Sequence, residues 1–109
     1  MKLTVRGETL EVSEIEQLRA SNSEEFRTAV LSSLTDLLSQ IDIDLSNTAV
    51  VDSSGLGALI TLEKAAKCRL RREISVRLLN PTPSVQQILE LTRVYSVLEI
   101  VKNGLRVEG

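Results

Sequence analysis

The chain has 109 residues, 42% of them hydrophobic, enough for one core without disulfides and too few for a second domain. Its 13 Lys and Arg against 15 Asp and Glu leave a formal charge of -2, so no broad basic surface addresses nucleic acid or an anionic membrane. Phe26 and Tyr95 are the only aromatics, too few for a platform on which single-stranded bases stack, and the absence of histidine removes the commonest general base and metal ligand.

Met1 to Gly7 lacks the continuous apolar stretch of a signal peptide, and no later run approaches the length of a membrane span. The single cysteine, Cys68, stands in a helical stretch outside any CxxC pair, so a cytoplasmic, reducing setting is expected. Leu3 and Val5 alternate with polar neighbours, and Leu10 and Val12 repeat the pattern after Gly7, as two short strands joined by a tight turn. Ser21-Asn22-Ser23-Glu24-Glu25 offers side-chain oxygens to orphan backbone N–H groups and early acids to the helix dipole, so a helix starts there. Phe26, Ala29, Val30, Ser33, Leu34, Leu37 and Ile41 recur at spacings of three and four and predict that it runs to about Gln40.

Ile43 and Leu45, followed by Ala49-Val50-Val51, read as a buried strand, a turn at Ser46-Asn47-Thr48 and a second short extended segment, with Asp44 at the strand end. From Gly55 to Arg72 the pattern is helical again. Lys64, Lys67, Arg69, Arg71 and Arg72 crowd its last turns, where the dipole favours positive charge on a solvated face. Ile74, Val76 and Leu78 alternate as a strand that Asn80-Pro81-Thr82-Pro83 stops. Thr82 is expected to cap a helix with Pro83 at its first position and Val85, Ile88, Leu89 and Thr92 on one face, before a last strand over Val97, Leu98, Ile100 and Val101. The order β-β-α-β-α-β-α-β predicts an α/β fold: one domain over residues 1–109, a mixed β-sheet with helices packed against it.

Chemistry concentrates in Asp52-Ser53-Ser54-Gly55-Leu56-Gly57, where a buried strand turns into a helix. Read structurally, Ser53 or Ser54 is an N-cap and the glycines permit close packing or an unusual backbone angle. A covalent hydrolase is the weaker rival, because Asp52 stands two residues before Ser54 where the nucleophile elbow has glycine, and no histidine exists to activate it. Gly55-Leu56-Gly57 lacks the third glycine of a dinucleotide loop and the ending of a P-loop. The acidic pair and late lysine of a phosphoacceptor receiver domain have no counterparts, and Asp42-Ile43-Asp44 follows a helix where an aspartyl phosphatase motif follows a strand. No catalytic residue, metal site or cofactor is expected.

The string DSSGLG after a hydrophobic strand resembles the signature of the STAS family, and Ile43-Asp44-Leu45-Ser46, the long helix, the strand, the proline turn and the short helix follow in family order from about Ser21. The resemblance implies a regulatory module of the anti-sigma factor antagonist type, acting in signal transduction to transcription in bacteria. In such proteins the second serine of the pair is phosphorylated by an anti-sigma factor that is also a serine kinase, a role that carries over to Ser54. Asp52 matches the acid of the motif, and Asp52, Ser53, Ser54, Gly55, Leu56 and Gly57 together are the implied partner-binding turn. Partner switching follows: the unmodified domain captures the kinase and frees sigma factor, and phosphorylation releases the kinase. The N-terminus of the helix after Ser54 is expected to donate N–H groups to the phosphate. STAS domains also dock on transport ATPases and form the tails of anion transporters, which is the alternative reading. Many members carry Gly-Glu-Leu-Asp at the turn into the first helix. This chain reads Gln17-Leu18-Arg19-Ala20, so Ala20 stands where that acid is expected, a departure that favours a partner other than a conventional sigma regulator.

Overall fold

A computed structural model describes residues 1–107. The alternating N-terminal residues form Lys2–Arg6 (β1) and Thr9–Ser13 (β2), an antiparallel hairpin with Arg6 opposite Thr9. Gly7 opens its two-residue loop with φ 63°, the left-handed region that such a loop asks of its first position. Gln17–Leu18 (β3), the helix Ser23–Ser32 (α1), Gln40–Asp44 (β4), Val50–Val51 (β5) and the long helix Ser53–Leu70 (α2) follow. Ser75–Leu79 (β6), Pro83–Leu91 (α3), one 3-10 turn at Val94–Ser96, Glu99–Lys102 (β7) and Leu105–Arg106 (β8) complete the chain.

Six strands make one sheet in the order β1-β2-β4-β6-β7-β8, parallel from β2 to β7 and antiparallel at both outer pairs, while β3 and β5 pair in parallel on their own. This is the mixed sheet that the element order predicts, with parallel neighbours joined through helical crossovers. The period-two alternation sends Leu10, Val12, Ile41, Ile43, Val76, Leu78 and Ile100 into one core with Phe26, Val30, Leu59, Leu62, Val85 and Leu89. The opposite face carries an in-register row of Thr4, Glu11, Asp42, Arg77 and Glu99 across five strands. At its centre Arg77 donates to both carboxylate oxygens of Asp42 at 2.9 and 2.8 Å, and Gln40 adds a bond at 2.8 Å, so the almost wholly buried acid is satisfied.

Several elements differ from the sequence expectation. α1 stops at Ser32 and does not reach Gln40. Ser33 turns its hydroxyl back onto the Ala29 carbonyl at 2.9 Å, the Ser33 and Leu34 amides drop to i−3 partners, and the Ser39 and Gln40 amides donate across to the Glu8 carbonyl. Leu37, counted as part of the apolar face, is 78% exposed. α2 starts at Ser53, two residues before Gly55, and Arg71 ends it in the left-handed region. The last expected strand begins at Glu99, because Val94–Ser96 forms the 3-10 turn and leaves Val97 exposed. β3 and β8 are additional, and Asn103 and Gly104, both at positive φ, make the hairpin turn into β8. The basic end of α2 is more than a solvated face: Lys67 pairs with Glu63 and Glu73 at 3.0 and 3.2 Å, and the Arg72 guanidinium donates to the carbonyls of Asp36 and Leu38. Among the described residues, no helix is long and apolar enough to cross a membrane.

Candidate docking turn

Everything at the turn follows from how β5 hands over to α2. Val50–Val51 pairs with Gln17–Leu18, and the Asp52 amide continues that ladder by donating to the Leu18 carbonyl at 3.0 Å. The first turn of α2 is thereby pressed against the backbone of residue 18. A Cβ built on Gly55 would lie 2.2 Å from the Leu18 carbonyl oxygen and 2.7 Å from its carbon, so only glycine fits. Gly57 is different: a Cβ there meets nothing within 4 Å and its φ is ordinary, so the backbone role expected of this residue is absent.

The N-cap is Asp52, not either serine. One carboxylate oxygen accepts the Gly55 N–H at 2.9 Å and the other accepts the Ala20 N–H at 3.0 Å, which joins the start of α2 to the loop before α1. These bonds, Gly55 first and Ala20 second, hold the Asp52 carboxyl below its ordinary value, with smaller help from the Ser54 N–H and from the charge of Arg19. Ser53 and Ser54 are both exposed, and among the described residues neither hydroxyl makes a hydrogen bond. Leu56 is half-buried against the core.

Residue 20 therefore touches the turn through its backbone, the Ala20 N–H donating to Asp52, while its side chain brings no acid there. Asn22, expected to cap α1, does no such thing. Its side chain accepts from the Arg19 N–H and donates to the Gln17 carbonyl, both at 2.8 Å, so it fixes the loop that carries Ala20. Thr82 likewise sits at the N-cap position of α3, but its hydroxyl donates to the Thr48 carbonyl at 2.8 Å. The buried Thr48 hydroxyl in turn donates to the Ile15 carbonyl at 2.6 Å, tying the start of α3 through the turn before β5 to the approach to β3. The sequence signals for Leu18 and Thr48 were weak, since their roles depend on contacts between segments far apart in the chain.

Both oxygens of Asp52 are engaged and its carboxyl is made less basic, so no general base stands ready for the Ser54 hydroxyl. The groove of about 740 Å³ beside β3 is lined by Glu14, Glu16, Gln17, Leu18, Glu25 and Phe26 among others, and by no residue of the turn.

The STAS domain family model matches residues 1–104. Among curated proteins no significant match exists. Among solved structures, the Thermotoga maritima protein TM1081 superposes with a TM-score of 0.76 at 19% identity, over 92% of this chain and 84% of its own. The anti-sigma factor antagonist SpoIIAA in its unphosphorylated form gives 0.65 at 21% identity, over 91% of this chain and 85% of its own. The Bacillus cell fate determinant SpoIIAA in its phosphorylated form gives 0.62 at 20% identity, over 91% and 88%. At these identities the likeness is one of fold.

Proposed function

The chain belongs to the STAS domain family, and from that membership we propose that it is a non-enzymatic, cytoplasmic protein-binding switch of the anti-sigma factor antagonist type, set by phosphorylation of Ser54 by a partner serine kinase. One observation carries the reading: Asp52 caps α2 by itself, which leaves Ser54 exposed and unbonded on the motif turn. Modification of Ser54 therefore disturbs no existing capping bond. Asp52, Ser53, Ser54, Gly55, Leu56 and Gly57 form the docking turn, with Gly55 and Asp52 holding its shape and the serines facing outward.

The energetics suffice for a switch. Phosphoserine adds nearly two negative charges, and a unit like-charge pair at about 5 Å with an effective dielectric of about 20 costs roughly 3 kcal/mol. Half of that weakens binding about tenfold. A partner that presents a carboxylate to the unmodified turn is thus repelled by the modified one, without any change of fold.

The test is incubation with ATP and the serine kinases encoded beside this gene, followed by mass analysis. The expected result is one phosphate on Ser54, absent in Ser54→Ala, and at least a tenfold loss of kinase affinity in the phosphorylated protein or in Ser54→Asp. No phosphate on Ser54, or an unchanged affinity, would overturn the reading. Recovery of a transport ATPase at the same turn would favour the docking alternative.

A further inference from the structure

A phosphate on Ser54 needs a counter-charge, and the turn itself supplies little. The Asp52 carboxylate already holds the Gly55 N–H and draws on the Ser54 N–H, while the Leu56 N–H is bound to the Asp52 carbonyl at 2.8 Å. The donors expected from the helix N-terminus are mostly spent, and Asp52 adds a negative charge beside the phosphate. The loop before α1 offers the missing cation. Residue 19 lies between two residues that both touch the start of α2: the Leu18 carbonyl accepts the Asp52 N–H, and the Ala20 N–H donates to the Asp52 carboxylate. Its backbone is fixed, with the Arg19 N–H donated to the Asn22 side chain at 2.8 Å and the Arg19 carbonyl accepting from the amides of Asn22 and Ser23 at 3.0 and 2.8 Å. Its side chain is exposed and, among the described residues, makes no ion pair or hydrogen bond. The charge of Arg19 is already felt at Asp52.

We infer that Arg19 is the phosphate-binding residue of the modified state, its guanidinium closing onto a phosphate carried by Ser54. Arginine suits this role because its planar fork pairs with two phosphate oxygens at once, and only its side chain has to move. Ala20 carries no charge, so the loop sets no carboxylate of its own at that position against the phosphate. The charge of the modified state would then be offset in part from within the domain, and the partner would meet a phosphate still anionic but shielded on one side.

The inference rests on Ser54 being the modified residue, and its test is made independent of any kinase by installing phosphoserine at position 54 during translation of the full chain. The phosphorus NMR shift is then followed through the second ionisation of the phosphate, whose ordinary midpoint is near pH 6. A nearby guanidinium favours the dianion, so the midpoint in the otherwise unchanged protein is expected about half a unit below that in Arg19→Gln, the size of an exposed ion pair. Arg19→Lys should recover part of the difference, and Lys64→Gln, which neutralises another exposed cation, should leave the midpoint in place. Equal midpoints with and without Arg19, or an equal displacement in Lys64→Gln, would overturn the assignment. Failure of this titration leaves kinase recognition of Ser54 standing, and failure of the kinase assay leaves the titration intact.

Discussion

At Gly55 a side chain has no room, with the Leu18 carbonyl oxygen 2.2 Å from where its Cβ would stand, whereas at Gly57 the same atom would meet nothing within 4 Å. The two glycines of one motif therefore part company under mutation. Gly55→Ala must push α2 off β3 and is expected to cost about 3 kcal/mol, lowering the thermal midpoint by more than about 10 °C. Gly57→Ala replaces the flexible residue in a helix by the best helix former and is expected to stabilise by about 0.5–1 kcal/mol, raising the midpoint by a few degrees. Thermal unfolding by circular dichroism separates them, and a similar loss in both would show that the glycines act together. Asp52 makes a prediction in pH. Its folded-state carboxyl lies below the ordinary 3.8, so the bonds of its ionised form stabilise fully above that value and are lost as pH falls through the lower, folded one. The stability gap between the parent and Asp52→Asn, read from denaturant unfolding, should be widest near neutrality and close below about pH 4. A gap of constant size from neutral to acid would rule out the ionised cap. The importance of this string was legible in the sequence, but three adjacent cap-forming residues left the choice among Asp52, Ser53 and Ser54 open, and the second bond of Asp52, to the Ala20 amide 32 positions away, has no local signal.

Among the elements, legibility tracked how local the determining contacts are. The N-terminal hairpin, β4, α2, β6 and α3 were all readable, because alternation, helical spacing and the proline stop are written in consecutive residues. α1 was overextended because Leu34 and Leu37 keep helical spacing, while the residue that holds the loop after α1 is Arg72, at the far end of another helix. β3 is two residues long and exists only through its pairing with β5, so no periodicity announces it. β8 had a readable signal that went unused: Asn103-Gly104 is a preferred pair for a two-residue hairpin, and both residues hold the positive φ that this turn demands. The basic end of α2 shows the same division, since charge alone reads as a solvated face and only the packed structure reveals Lys67 held between two acids.

For the whole molecule the question is whether the proposed switch would act on the fold or on its surface. Ser54 lies outside the core cluster, and the sheet beneath is held independently by the apolar face of β4 and β6 and by the Asp42–Arg77 pair on the opposite face. SpoIIAA itself has this fold in both its unphosphorylated and its phosphorylated form. A phosphate on the exposed Ser54 would meet surface groups, where interactions amount to about 1 kcal/mol or less. Phosphoserine at position 54 is therefore expected to move the thermal midpoint by no more than a few degrees. Backbone amide shifts in NMR should change at Arg19–Asn22 and Asp52–Leu56, with a weaker echo at Thr82–Ser84, because the Thr82 hydroxyl couples the start of α3 to the approach to β5. Shift changes that spread through β4 and β6, or a midpoint lowered by more than about 10 °C, would locate the switch in the core and sink the surface mechanism. Confined changes would leave the partner to read charge alone, on a turn whose backbone Gly55 and Asp52 hold in one shape in both states.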